Sequence, residues 1–131
     1  MTGTQFEREF CRELFQSGFW ALNIPRDTCG AQPFDVIAVK GSKVVAVDCK
    51  VCGRNRFPLS RVEDNQWLAF RILSERCSRA DVGIVCWCDG AIYYIPYHHL
   101  VSARDSGKAS IVLDSYRAVL AQHVFFDAGA R

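Results

Sequence analysis

Hydrophobic residues recur with a helical period in the first part of the chain. From Thr4 to about Ser17 they return every three or four residues, as expected for a helix that turns by about 100° per residue. Gly18 ends this helix. Glu7 lies in the middle of its apolar face, where a carboxylate without a partner would be costly, so we expect a cationic group to meet it inside the fold. The other members of that face are Phe6, Phe10, Cys11, Leu14 and Phe15.

The next segment has the pattern of a hairpin. Residues 33–40 and 43–50 are rich in β-branched side chains and flank the two-residue link Gly41-Ser42. Each arm carries one carboxylate, Asp35 or Asp48, in apolar surroundings. Because side chains alternate across a strand, Asp48 and Lys50 share one face, and both faces are apolar enough for a central strand covered on two sides. Taken by themselves, these charges could form a structural ion pair across the hairpin.

Helix and strand patterns alternate in the second half. Ser60 to Glu63 has the form of a capping box, with Ser60 as N-cap, and predicts a helix from Arg61 to about Cys77. Gln66 lies in its buried stripe, where a hydrogen bond to nearby backbone would be the structural explanation. The pattern also predicts strands at 19–24, 82–88, 91–95 and 111–113, an irregular basic loop at 52–58, a short helix at 97–103 and a helix or irregular cover from 115 to about 124. This order predicts an α/β fold with a mixed central β-sheet flanked by helices.

Composition indicates one globular domain. The 131 residues are half hydrophobic, which suffices for one core, and we find no leader or bilayer-spanning pattern, so we expect a cytoplasmic protein without membrane contact. The seven cysteines are an odd number scattered through core-like segments, which fits reduced thiols. The net charge of +2 does not by itself indicate nucleic acid, but several arginines fall in predicted loops, where their donors suit phosphate.

Five polar residues are directed at the predicted interior: Glu7, Asp35, Asp48, Lys50 and Gln66. Three converging carboxylates repel one another, so they are a poor structural device. They are, however, what a hard divalent cation such as Mg²⁺ binds, with room left for water and phosphate. Lys50 beside them would favour a deprotonated or well-oriented water. The pattern therefore indicates metal-assisted phosphodiester hydrolysis.

These residues resemble the PD-(D/E)xK nuclease signature, in the arrangement of Holliday junction resolvases of the RecU type and their compact archaeal counterparts. The resemblance spans about residues 3–101. Two positions depart from the family pattern: Phe34 replaces the proline before the first aspartate, and Asp48 stands where glutamate is more usual. The segments that carry the resemblance are Gly3 to Glu7, Asp35, Asp48-Cys49-Lys50, Phe57 to Ser60 with the following Gln66, and Ala91 to Pro96.

The resemblance implies a restriction-endonuclease-like fold and a single nuclease domain over residues 1–131, with a C-terminal cover at 102–126 and a short tail at 127–131. It implies that Glu7, Asp35, Asp48 and the main-chain carbonyl of Cys49 bind Mg²⁺, for which Mn²⁺ would substitute. It also implies that Lys50 orients the attacking water and offsets charge on the phosphate. Gln66 would position that water or a ligand.

The same resemblance implies a homodimer that resolves four-way DNA junctions, because two active sites must nick opposite strands of a symmetric junction. Contacts to DNA phosphates would set register and affinity without reading sequence. The candidate DNA-binding residues lie on the first helix and in two loops: Arg8, Arg26, Arg54, Asn55 and Arg56.

Alternative interpretations remain open at this point. A restriction- or repair-type nuclease could cut ordinary duplex DNA with the same residues, and a non-cleaving module of the same fold could hold branched DNA. Cys49, Cys52, Cys86 and Cys88 could form a four-cysteine zinc site, although free cysteines are common in buried strands. Cys49 and Cys52 could also be a redox couple. The adjacent His98 and His99 could ligate a metal, with surface solvation as the structural alternative.

Overall fold

A mixed β-sheet forms the centre of the fold, with helices on its two faces. The computed structural model describes residues 1–25 and 32–118, and within these residues the main sheet has five strands in the order β1-β2-β3-β5-β6, while β4 and β7 form a separate two-stranded sheet. This architecture confirms the predicted fold class. The elements are α1 (Gly3–Gln16), β1 (Trp20–Asn23), β2 (Val36–Lys40), β3 (Lys43–Val51), β4 (Arg56–Pro58), α2 (Asp64–Arg76), β5 (Ala80–Cys88), β6 (Ala91–Pro96), α3 (Tyr97–Asp105) and β7 (Ser110–Val112).

Strand β3 occupies the middle of the main sheet. It pairs antiparallel with β2 and parallel with β5, with Asp48 opposite Ile84 and Lys50 opposite Cys86. Val47 and its alternate neighbours on β3 belong to a core cluster with Phe6 and Phe10 of α1. Ile84 and Cys86 belong to a second cluster with residues of α2 and α3. Because each cluster lies on one face, β3 is covered on both sides, as the hairpin pattern predicted.

Helix α1 begins and ends where its sequence requires. Thr2 is the N-cap, and its side chain accepts the N–H of Gln5 while the Gln5 side chain accepts the N–H of Thr2. Gly18 follows the helix with a φ of +95°, a left-handed conformation that favours glycine. One detail of the predicted apolar face is wrong, because Phe15 is 63% exposed.

Helix α2 begins three residues later than predicted. Residues Leu59–Arg61 form a 3₁₀ turn, and the N-cap of α2 is Glu63 instead of Ser60. A capping box is present, but Glu63 and Gln66 form it, and Gln66 Oε1 accepts the N–H of Glu63 at 3.0 Å. The turn buries both Leu59 and Val62, which holds the chain out of the helix at these positions.

The predicted irregular loop at 52–58 contains a strand. Its last part, β4, pairs antiparallel with β7, which places Phe57 opposite Ile111, and both side chains are buried. Residues 119–131, with the end of the predicted cover and the tail, lie outside the described residues, as does Arg26. No helix in the described part of the chain is long and apolar enough to cross a membrane.

Substitution of Gly83 by alanine should destabilise the fold. Gly83 lies in β5, and an added Cβ would fall inside the contact distance of the main-chain oxygen of Ile95 on β6. We expect Gly83→Ala to lower the free energy of unfolding by about 3 kcal/mol, measured by urea denaturation. Gly3→Ala is the control, because a Cβ at Gly3 meets nothing within 4 Å. Equal stability of the two variants would contradict the pairing of β5 with β6.

Candidate active site

The β2–β3 hairpin brings two carboxylates together. Asp35 immediately precedes β2, and its N–H donates to the carbonyl of Val47 at 2.9 Å. Its side-chain Oδ2 accepts the main-chain N–H of Cys49, also at 2.9 Å. These two bonds fix the Asp35 carboxylate against β3, beside Asp48.

Asp48 and Lys50 form a buried ion pair on one face of β3. Lys50 Nζ lies 2.8 Å from Asp48 Oδ2, and the two side chains are 18% and 5% exposed. The pKa of Asp48 is raised to about 7, first by burial and then by the hydrogen bond and charge of Asp35, while Lys50 opposes the shift. The site therefore carries more negative charge than Lys50 offsets, and it gains from a proton or a metal cation.

The chemistry of this pair fits a metal ligand. Asp48 Oδ2 is buried, and it lies 2.8 Å from Lys50 Nζ. A buried carboxylate beside a second carboxylate, here Asp35, is the kind of oxygen donor that a hard divalent cation binds.

Glu7 reaches the same region from helix α1. Its side chain is buried in the helix face that packs on β3. Burial raises the pKa of the Cys49 thiol well above its usual value, and the charges of Asp35, Asp48 and Glu7 raise it further. The charges of three carboxylates therefore act on the Cys49 position of β3, and their convergence around one ion stays a prediction. The expected cationic partner of Glu7 stays a prediction.

Gln66 is buried on α2, as predicted, and its carbonyl oxygen is used within that helix. The bond from the Glu63 N–H to Gln66 Oε1 confirms the structural explanation of its burial. Helix α2 is also tied to the carboxylate side of the hairpin, because the ring of Phe34 stacks on Phe70 with centroids 5.5 Å apart. Phe34, which stands where the family pattern has proline, thus anchors the chain directly before Asp35.

The candidate DNA-binding residues have different surroundings. Arg8 is exposed on α1, and Arg54 is exposed in the loop after β3 with a φ of 56°. Asn55, with a φ of 55°, donates its side-chain amide to Asp114, so this side chain is committed to holding the loop. Arg56 is exposed and donates to Ser110 Oγ at 3.1 Å.

Sequence reasoning missed Arg61, which supports the end of β3. Its guanidinium donates to the Val51 carbonyl at 2.8 Å and lies 3.7 Å from Cys52 Sγ. The local pattern predicts Arg61 in the first turn of a helix and gives no sign that its side chain reaches back to β3. Val51 lies two residues after Cys49 on β3. Arg61 therefore fixes the backbone close to the Cys49 carbonyl, a candidate metal ligand.

The cysteines do not form a zinc site in the described part of the chain. Cys49 belongs to the cluster on the α1 face, whereas Cys86 and Cys88 belong to the cluster on the opposite face. Within residues 1–25 and 32–118, no group of three or more His, Cys, Asp and Glu side chains is arranged to hold a metal ion. Glu7, Asp35 and Asp48 are accordingly not closed around one point in this structure.

The raised pKa of Asp48 predicts how the stability of the metal-free protein depends on pH. Between the ordinary value of 3.8 and about 7 the folded state binds more protons than the unfolded state. The free energy of unfolding should therefore fall as pH rises through this range, by up to about 4 kcal/mol. We expect Asp48→Asn to remove this fall, measured by urea denaturation in chelator at several pH values. If the free energy of unfolding depended on pH in the same way in both proteins, the raised pKa of Asp48 would be contradicted.

Comparisons with known proteins agree with the observed fold. The sequence profile of the archaeal Holliday junction resolvase (Hjc) family matches residues 1–113. The solved structure of Hjc, a Holliday junction resolvase from the archaeal hyperthermophile Archaeoglobus fulgidus, is similar with a TM-score of 0.58 and 21% identity, over 73% of this chain and 78% of that chain. That likeness shows a common fold, and no curated protein matches the chain. Because the profile covers most of its length, the chain belongs to the archaeal Holliday junction resolvase family, nucleases of DNA recombination and repair that use divalent metal ions to resolve four-way junctions.

Proposed function

We propose that this chain resolves four-way junctions as a Mg²⁺-dependent homodimer, by hydrolysing one phosphodiester bond in each of two opposite strands. Glu7, Asp35, Asp48 and the Cys49 carbonyl hold the ion, and Mn²⁺ substitutes for Mg²⁺. The observation that carries the proposal is the buried Asp48–Lys50 pair beside Asp35, with the pKa of Asp48 raised to about 7. The chain acts as a single nuclease domain, inside the cell with its DNA.

The chemistry of the donors supports a hard divalent cation. All side-chain donors are carboxylate oxygens, which Mg²⁺ and Mn²⁺ prefer over the sulfur and nitrogen ligands typical of zinc. Asp48 is buried beside the Asp35 carboxylate, and the surplus negative charge favours a cation at this place. When bound, the ion acts as a Lewis acid on the phosphate and lowers the pKa of bound water.

The protein side chains orient the reactants. Lys50 Nζ, held 2.8 Å from Asp48, donates hydrogen bonds to the attacking water or to a non-bridging phosphate oxygen as negative charge develops. Gln66 Oε1 accepts the N–H of Glu63. The side-chain amide N–H groups of Gln66 would therefore position the water or a ligand. Arg61 keeps the β3 backbone in place through the Val51 carbonyl.

Phosphates on either side of the cleaved bond would lie against arginine side chains outside the carboxylate cluster. Arg8, Arg26, Arg54 and Arg56 supply charge without reading bases. Asn55 contributes mainly through the loop conformation that its bond to Asp114 maintains. Recognition by phosphate position suits a substrate that is defined by its branched shape.

Replacement of Lys50 by alanine should abolish cleavage with little change in junction binding. We expect Lys50→Ala to lower the single-turnover rate by roughly a hundredfold or more, because it removes a donor aimed at developing charge. The assay uses a labelled synthetic four-way junction in Mg²⁺, in Mn²⁺ and in chelator, and paired symmetric nicks are expected in both metals.

Lys43→Ala is the matched control for Lys50→Ala. Lys43 lies on the same strand and forms a similar ion pair with Asp81 at 2.7 Å, away from the carboxylates. Equal activity of Lys50→Ala and Lys43→Ala would exclude the role proposed for Lys50. Equal cutting of linear duplex would favour a restriction- or repair-type nuclease, and binding without cutting in either metal would favour a non-cleaving module.

Glu7 should contribute directly to metal binding. Because it supplies one of three carboxylates, Glu7→Gln is expected to weaken Mn²⁺ binding by roughly tenfold or more, measured by isothermal titration calorimetry. Glu13→Gln is the control, since Glu13 lies on the same helix outside the site and is also partly buried. Unchanged Mn²⁺ affinity in Glu7→Gln would remove Glu7 from the proposed ligand set.

A further inference from the structure

A polar groove separate from the carboxylates lies between α3 and the small β4–β7 sheet. Its volume is about 570 Å³. None of the described residues that line it is acidic, and two of them, Arg56 and Lys108, are cationic. Hydroxyl groups and an imidazole complete the polar lining, supplied mainly by Ser102, Ser110, His99 and Tyr116.

The two cations of the groove are not paired with acidic side chains in the part of the chain that the structure describes. Neither Arg56 nor Lys108 forms an ion pair with another described residue. Arg56 donates to the hydroxyl of Ser110 at 3.1 Å, and His99 Nδ1 lies 2.8 Å from the Tyr116 hydroxyl. Arginine, lysine, serine and tyrosine are the side chains that contact phosphate oxygens in protein–DNA complexes.

The walls of the groove are fixed by backbone hydrogen bonds. The Leu59 N–H donates to the Ala109 carbonyl at 2.9 Å, and the Leu113 N–H donates to the Asn55 carbonyl at 3.0 Å. These two bonds continue the β4–β7 pairing at its two ends. The buried Phe57 and Ile111 pack beneath it. A groove held in this way is preorganised, so binding an anion would cost little ordering of the chain.

The groove lies within reach of DNA bound at the carboxylates. Arg56 follows Lys50 by six residues, so the two Cα atoms are at most about 22 Å apart. Phosphates of one strand rise by about 3.4 Å per nucleotide along a duplex. A junction arm that starts at the cleavage site therefore needs at most about six or seven nucleotides to reach the groove.

We propose that this groove is a second DNA-binding site, in which Arg56 and Lys108 bind backbone phosphates of a junction arm beyond the cleaved bond. Contacts there would fix the direction in which the arm leaves the active site, and they would not depend on base sequence. The inference rests on the proposed function, because it assumes that a four-way junction is bound at the carboxylates. It adds Lys108, Ser102, Ser110 and Tyr116 to the surface that meets DNA.

The test combines a protein variant with neutralised DNA. Binding of a four-way junction is measured by fluorescence anisotropy in chelator, for the wild-type protein and Lys108→Ala. The junction carries either ordinary phosphates or uncharged methylphosphonates at positions roughly three to seven nucleotides from the cleavage site. We expect Lys108→Ala to weaken binding of the ordinary junction severalfold and to reduce the slope of log K against log salt by about 1. On the methylphosphonate junction it should have no further effect.

Arg104→Ala is the matched control, because it removes a cation from the end of α3, four residues before Lys108 and outside the groove. The Arg104 guanidinium lies over the ring of Trp67, 4.5 Å from its centroid, and is paired with Asp105. It should weaken neither complex. An equal effect of Lys108→Ala on both junctions, as a general loss of charge would produce, would overturn the proposal, as would no effect at all. Since chelator prevents hydrolysis, a protein that binds but never cuts would refute the proposed activity and leave the result for the groove standing.

Discussion

The structure depends on the burial of Asp48 and Lys50 in the central strand of the sheet. Removing two charges from water costs several kcal/mol per ion, and one contact of 2.8 Å does not fully offset that cost. The Asp35 carboxylate beside them increases the cost, which appears as a pKa of about 7 for Asp48. The arrangement is poor for stability and well suited to a divalent cation, whose charge would relieve the repulsion.

The features that local sequence patterns determine were predicted correctly. Strand alternation placed Asp48 and Lys50 on one face, and the Gly41-Ser42 link defined the hairpin, since both depend on residues close in sequence. The helical period likewise placed Glu7 among the buried residues of α1. A polar residue inside an apolar pattern was the most informative signal, because it marks a position where the fold accepts an energetic cost.

The features that long-range contacts determine were not predicted. Nothing near Arg56 in the sequence shows that β4 would pair with β7, about fifty residues later, and the groove exists only because of that pairing. The start of α2 was misplaced because two overlapping segments both fit a capping box, and the burial of Leu59 and Val62 decides between them. Phe34 could be recognised as a departure from the family pattern, but its stacking on Phe70 required the tertiary structure.

The central claim is that Glu7, Asp35 and Asp48 close around one divalent cation. It is tested most directly by crystals grown with Mn²⁺, with the ion located by anomalous scattering. The account predicts one strong peak about 2 Å from carboxylate oxygens of these three residues and from the Cys49 carbonyl. A peak at the cysteines or histidines, or no peak at this position with Mn²⁺ in excess, would contradict it.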